Sequence, residues 1–367
     1  MVENVTRERA IQLIKEKIGK ELLRQLENGE VPKLLITDRS QNNVEYSETL
    51  KYLIMKDKKN ERKLNELGEL HPFLQTLLIA KSVMQILQEG QLTTKRDLFY
   101  DNQFRIPDTR RLTFEKQSES DIILQDLEVL TGVIREDMGI VADPKGAIVG
   151  DIKIQSGDDV IDCSKQGDGA WSIPSTIGRS SFVENNAKFV LVVEKGAIFT
   201  KLNGSKFWRN NNCLLMTGGG QADRGTRRLV RKLNVELNLP VYILTDGDSY
   251  GWYIYSVYTC GSMSLAYESK NLACPNAKFL GVTTSDIFHY NIEDWALPAK
   301  PSDLKRAEDL LKYPWFKNDE FWQRELKLFL QKKLKCEIET LSRHLHSYRY
   351  LSDIYLPEKL REAGCNT

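Results

Sequence analysis

Three helical segments followed by a pair of short apolar runs around a turn, and then three units that each open on a continuous apolar run and continue in helical periodicity, predict an α/β protein. The first pattern is the order of a winged helix. The second implies a mostly parallel sheet covered on both faces, because continuous apolar strands are buried on both sides. A helical N-terminal extension precedes them. With 367 residues, 41% hydrophobic and 28% charged, the chain is long enough for two domains or slightly more.

Residues 5 to about 28 set Ile11, Ile14, Ile18, Leu22 and Leu26 at helical spacing among Lys, Arg and Glu. This amphipathic stripe needs a partner, either its own domain or a second protein chain. The stretch "KLLITDRSQNNVEYSETLKYLIMKDKKNERK" reads as strands around polar turns, and its lysine-rich end at 56 to 63 suggests a boundary, so the extension is assigned to residues 1–67. From residue 72, "PFLQTLLIAKSVMQILQEG" is a helix with Pro72 in its first turn and Gly90 as its stop. A short second helix lies in "TTKRDLFYDN", where Thr94 is the N-cap and Asp97 stands three residues on, a capping-box variant. The third, "SESDIILQDLEVLTGVI", is capped by Ser118 or Ser120. Then "MGIVADPKGAIVGDIKI" reads as two strands around Asp143-Pro144-Lys145-Gly146, a hairpin that completes the winged helix over 68–155.

In the second half, "AKFVLVVEKGAIF", "NCLLMTGGGQADRGTRRLVRKL" and "LPVYILTDGDSYGWYIYSVY" are successive βα units, whose ligands are expected beyond the strands' carboxyl ends. Amphipathic helices from about residue 300 close this domain, 156–367.

Composition excludes several classes. The six cysteines form no CxxC pair and the four histidines no HExxH, so neither a disulfide framework nor a zinc site is indicated. His344 and His346 point to different faces of a helix and read as surface or packing residues. No uncharged apolar run approaches the roughly 18 residues needed to span a bilayer, and no leader pattern opens the chain, so a cytoplasmic, nucleoid-associated location is expected. A net charge of +1 excludes a globally basic nucleic-acid coat and leaves local patches. Two are present: Lys95, Arg96, Arg105, Arg110, Arg111 and Lys116, then Arg224, Arg227, Arg228, Arg231 and Lys232. Of these, Lys95, Arg110, Arg111, Arg227 and Arg228 are candidate contacts to DNA phosphates, which fix position without reading sequence. Each could equally be a solvated or salt-bridged helix face.

The chemistry concentrates at strand ends. Glu194 follows "FVLVV", while Asp246 and Asp248 follow "VYILT", and in a parallel sheet both positions fall at one edge. Three converging carboxylates repel unless neutralised, and their hard oxygens suit Mg²⁺. Capping of the helix near Tyr250 is the simpler use for Asp246 and Asp248.

The glutamate at one strand end and the DxD at another resemble the Toprim domain of topoisomerases, primases and some nucleases. With "TTKRDLFYDN" ahead of "FVLVVEKGAIF", "TGGGQADRGTRRLVRKL" and "TDGDSYGWYIYSVY", in this order, the chain closely resembles the catalytic chains of type IIB topoisomerases and the related eukaryotic enzymes that make meiotic double-strand breaks. The resemblance runs from about residue 70 to beyond 300. It implies a winged-helix (CAP-like) DNA-binding domain joined to a Toprim α/β domain. By motif, Tyr100 is the nucleophile and Glu194, Asp246 and Asp248 are the metal-binding acids; Arg96, one helical turn before Tyr100, is placed to steady the phosphate or the phenolate. The family departs from this chain at Gly218-Gly219-Gly220-Gln221-Ala222-Asp223, where eukaryotic relatives carry GKGxPD, and at Ser249, where DxDP is common. The first departure removes a lysine.

The resemblance further implies a 5′-phosphotyrosyl link, a homodimer in which the tyrosine of one protomer works with the acids of its mate, and an A2B2 assembly with a B subunit of the GHKL ATPase class. No GxxxxGK[ST] loop is present, so ATP acts on another chain. The N-terminal amphipathic helix is then a docking element for it. A Toprim nuclease would leave Tyr100 unexplained, and a non-catalytic winged-helix DNA binder would leave the acids unexplained.

Overall fold

The computed structural model describes residues 5–342 and 347–365, so His344 and His346 lie outside the described residues. Contacts divide the chain into two compact units, one of residues up to 45 together with 55–143, the other of residues 46–54 together with 144 onward.

The first unit is built on the Leu67–Glu89 helix, which starts earlier than Pro72 predicts and ends at Gly90 in a left-handed C-cap with φ 68°. Against it pack the Lys95–Asn102 and Gln117–Thr131 helices, sharing a core of Phe73, Ile79, Val83, Leu98, Leu124 and Leu127. Lys116, rather than Ser118 or Ser120, is the N-cap of the last of these, and Ser120 is buried within it. The N-terminal segment is helical from Arg7 to Glu27, with a π-type turn at Lys15–Lys20. Its stripe is divided: Ala10, Ile14 and Ile18 enter the unit's own core, while Leu23 and Leu26 remain more than half exposed. Lys59–Lys63, expected to be a boundary, is a strand paired antiparallel with Lys33–Thr37. The first 67 residues therefore do not form a separate body.

The expected hairpin is absent. Ile140–Val141 pairs in parallel with Thr93–Thr94, and Ala147–Val149 joins the six-stranded sheet of the second unit. Burial explains the difference: Ile148 and Val149 point to opposite faces and both are covered, which a one-sided wing does not provide.

That sheet runs Trp171–Ser172, Ala147–Val149, Cys213–Thr217, Phe189–Val193, Val241–Leu244, Lys278–Gly281. Its last four strands are mutually parallel and the first two antiparallel to their neighbours. Strand alternation feeds two cores. Val190, Val192, Leu214, Met216 and Ile243 share one with Leu229, Val230 and Leu233 of the Arg224–Glu236 helix. Phe189, Leu191, Val193, Leu215 and Leu244 share the other with Ile198, Phe199 and Leu202 of the Gly196–Gly204 helix. From Phe189–Val193 the chain crosses first to one neighbouring strand and then to the other, so the sheet's switch point lies at that strand's carboxyl end. Residues 152–185 add a three-stranded antiparallel sheet. The C-terminal helices Pro301–Leu310, Pro314–Lys317 and Glu320–Lys332 pack around Trp252 of the Ser249–Cys260 helix.

Candidate active site

The switch point brings two of the three predicted acids into direct contact. Glu194 Oε2 accepts a hydrogen bond from the Asp246 backbone N–H at 2.9 Å. The glycine loop closes over the same strand end: Gly219 and Gly220, at φ 61° and 90°, take a left-handed turn, and the Gly220 N–H donates to the Glu194 carbonyl at 2.7 Å. Asp248 caps the Ser249–Cys260 helix, accepting from the N–H groups of Tyr250 and Gly251 at 3.0 and 2.8 Å. The capping expectation for Asp248 is thus met, and its other oxygen, Oδ2, is the one that approaches Lys335, at 4.0 Å.

A segment near the C-terminus completes the site. Cys336 and Gly247 exchange backbone hydrogen bonds at 2.7 and 3.1 Å, and the Ile338 N–H donates to Asp246 Oδ1 at 2.9 Å. This pairing carries Lys335, Glu337 and Glu339 to the acids. Lys195 Nζ lies 3.0 Å from Asp246, 2.9 Å from Glu339 and 3.6 Å from Glu337. Lys335 Nζ lies 3.3 Å from Asp303. Sequence reasoning singled out none of these residues. Lys195 is adjacent to Glu194 and could have been noticed, whereas the register between residues 247 and 336 is tertiary and has no local signal.

Electrostatically the site is short of positive charge. Burial, then the neighbouring Asp246, pushes the Glu194 carboxyl up to about 7, and burial pushes Asp246 up to about 6 against the pull of the Ile338 N–H and Lys195. Asp248 is raised too, again by burial first. Burial works against the Lys195 ammonium, but its bonds to Glu339 and Asp246 outweigh it and raise its pKa. Among the described residues no group of three or more His, Cys, Asp or Glu side chains stands arranged to enclose a metal ion. The donors account for this: backbone N–H groups or Lys195 hold four of the six carboxylate oxygens, leaving Glu194 Oε1 and Asp248 Oδ2 the least committed. The donor set nonetheless fits a divalent cation, since hard, like-charged, buried oxygens are what such an ion relieves.

Tyr100 belongs to the other unit, on the Lys95–Asn102 helix. That helix is fixed by the predicted capping box, with Thr94 Oγ1 accepting from the Asp97 N–H at 3.2 Å. Leu98 and Phe99 are its buried anchors, while Tyr100 is 55% exposed with its ring 5.1 Å from that of Phe99. Arg96 is exposed, its guanidinium 5.9 Å from the Tyr100 ring centroid. Lys95 is paired with Asp121 at 2.6 Å. The loop that follows folds back on itself through an Arg105–Leu112 bridge and presents Arg105, Arg110 and Arg111 to solvent.

Arg227 and Arg228 depart from expectation. They are 2% and 4% exposed, inside the sheet unit and not on a DNA-facing surface. The helix that bears them is packed along that face: burial lowers Arg227 to about 10 against the opposing pull of Glu268, and Arg228 lies against the Gly178 backbone. The lysine missing from the glycine motif has a spatial counterpart, because Lys145 Nζ donates to the Gln221 carbonyl at 2.6 Å.

Three family models match in chain order. One described as type IIB DNA topoisomerase covers residues 71–140, one for the all-beta domain in DNA topoisomerase VI alpha subunit covers 145–186, and one for the Toprim domain of the topoisomerase 6 catalytic chain and Spo11 covers 189–360. The middle match includes the three-stranded sheet. Among curated proteins, the A subunit of type 2 DNA topoisomerase 6 from Hyperthermus butylicus is 43% identical over 98% of this chain and 96% of its own length. That of Pyrococcus abyssi is 40% identical over 95% and 93%. The corresponding DNA topoisomerase 6 chain of Arabidopsis thaliana is 35% identical over 89% of this chain and 74% of its own.

Proposed function

The chain belongs to the topoisomerase VI A-subunit family, the catalytic DNA-cleaving chains of type IIB topoisomerases, and from that premise we propose how its residues divide the reaction. The Tyr100 hydroxyl attacks a backbone phosphorus as its O–H proton is lost. The bond to the 3′ oxygen breaks, that oxygen takes up a proton, and DNA is left joined to Tyr100 through a 5′-phosphotyrosyl ester. One phosphodiester is exchanged for another, so the released hydroxyl can reverse the step. Arg96, exposed one turn behind Tyr100, draws the phenolate or the phosphate by charge.

Glu194, Asp246 and Asp248 would hold Mg²⁺, which supplies charge stabilisation at the phosphate or the departing 3′ oxygen. The observation that carries this reading is the Glu194–Asp246 contact at the switch point, which draws residues 52 positions apart into one carboxylate cluster. Lys95, Arg110 and Arg111 serve DNA phosphates, with Lys95 sharing its charge with Asp121. The helices at 67–89, 95–102 and 117–131 support a winged-helix (CAP-like) reading, with the arginine loop at 105–112 as its projecting hairpin.

Two copies of the chain form a symmetric homodimer, each supplying the tyrosine for one strand and the acids for the other. A B subunit of the GHKL ATPase class completes an A2B2 assembly that relaxes supercoils or decatenates in the cytoplasm, beside the nucleoid. No described helix is long and apolar enough to cross a membrane. The exposed Leu23 and Leu26 are the part of the N-terminal helix left for B-subunit docking.

The test is Tyr100→Phe in the reconstituted assembly with Mg²⁺ and supercoiled DNA. The denaturant-resistant protein–DNA adduct is expected to disappear while the fold is retained. Its persistence would remove Tyr100 as nucleophile.

A further inference from the structure

The acid cluster already contains a cation from its own chain. Lys195 follows Glu194 directly, and its ammonium touches carboxylates from two other segments, Asp246 on the strand-end loop and Glu337 and Glu339 on the segment paired to it. These partners are unequal. The Asp246 side chain is 12% exposed, whereas those of Glu337 and Glu339 are 49% and 43% exposed. Water can solvate the two glutamates unaided, but Asp246 depends on its neighbours for compensation. Lys335 is different, because it lies nearer to Asp303 than to Asp248 and ties two elements together.

A divalent ion brought to Asp246 would meet the Lys195 ammonium about 3 Å from the same carboxylate, a strong repulsion in a partly buried setting. Glu337 and Glu339 offer that ammonium a place to go, since residues two apart on an extended segment face the same side. We propose that Lys195 is the resident counter-cation of the acid site: it compensates Asp246 when no metal is bound and withdraws onto Glu337 and Glu339 when a divalent metal enters, so that this lysine sets the metal affinity. The inference rests on the reading of Glu194, Asp246 and Asp248 as metal ligands. It makes Lys195 a positioning residue.

The experiment is a Mn²⁺ titration of the full chain without DNA, at about pH 8, by calorimetry or by the spin-resonance signal of free Mn²⁺. Lys195→Met is expected to bind Mn²⁺ about tenfold or more tightly than the unaltered chain. It should also melt lower in EDTA and gain more from Mn²⁺. Unchanged or weaker binding by a variant with an unaltered circular dichroism spectrum would overturn the proposal, and Lys195→Gln carries the same expectations should the methionine variant fold poorly. The double variant Glu337→Gln, Glu339→Gln should weaken Mn²⁺ binding only when Lys195 is present. A loss of equal size in the Lys195→Met background makes the two glutamates direct ligands and also overturns it. Failure of the underlying metal-site reading looks different, for then Glu194→Gln leaves Mn²⁺ binding unchanged.

Discussion

Glu194 and Asp246 hang from the ends of strands whose every residue is buried, and backbone N–H groups fix one oxygen of each. Tyr100 sits instead on an eight-residue helix, more than half exposed, with Phe99 as its packed neighbour. The contrast follows from what each group must do. Carboxylates that share a cation need fixed spacing, which only a close-packed sheet supplies, and they accept raised pKa values in return. A nucleophile for a duplex needs access, so its helix is held from behind by Leu98, Phe99 and a capping box while the ring stays outside.

The largest effect that can break this contrast is at Tyr100. Tyr100→Phe should remove the covalent adduct altogether yet shift stability by less than about 0.5 kcal/mol, since an exposed hydroxyl is deleted. A large loss of stability would show that Tyr100 is a structural residue. Next comes Glu194→Gln, which should lower cleavage roughly hundredfold or more. In EDTA near pH 8 it should raise stability by on the order of 1 kcal/mol, because a buried like charge is removed while an acceptor for the Asp246 N–H remains. A destabilised variant would contradict the charge reading.

The third effect is one of pH. Glu194 titrates in the folded chain at about 7 against an ordinary value of 4.5, and Asp246 at about 6 against 3.8, so the folded state holds protons that the unfolded state has already released. Metal-free stability is therefore full below about pH 4 and falls as pH rises through about 6 to 7. Thermal melts in EDTA at a series of pH values should show this decline, and Glu194→Gln should flatten it. The smallest effect is Thr94→Ala, which removes the side-chain cap of the tyrosine helix and should cost about 1 kcal/mol. Equal stability of the two proteins in urea would show the cap to be dispensable.

Local physics made much of this legible. The five-residue runs 189–193 and 213–217 were readable as two-sided strands because Val, Leu, Phe and Met recur without a polar break. Thr94 with Asp97, and Gly90 as a stop, carry their reasons within four residues. The hairpin expected at 140–149 was not legible, since a short apolar run does not reveal which sheet it joins. Arg227 and Arg228 misled because charge in a sequence reports a residue's type and not its burial.

The sequence by itself determined the strand-end acids, the capped tyrosine helix and the βα order, all of which depend on spacing along one segment. Only the tertiary structure decided that Lys195, Glu337 and Glu339 share one charge cluster with Asp246, that the N-terminal helix spends half its stripe on its own unit, and that Ala147–Val149 belongs to the large sheet. Those outcomes turn on which distant segments pair, and pairing is set by burial summed over the whole chain.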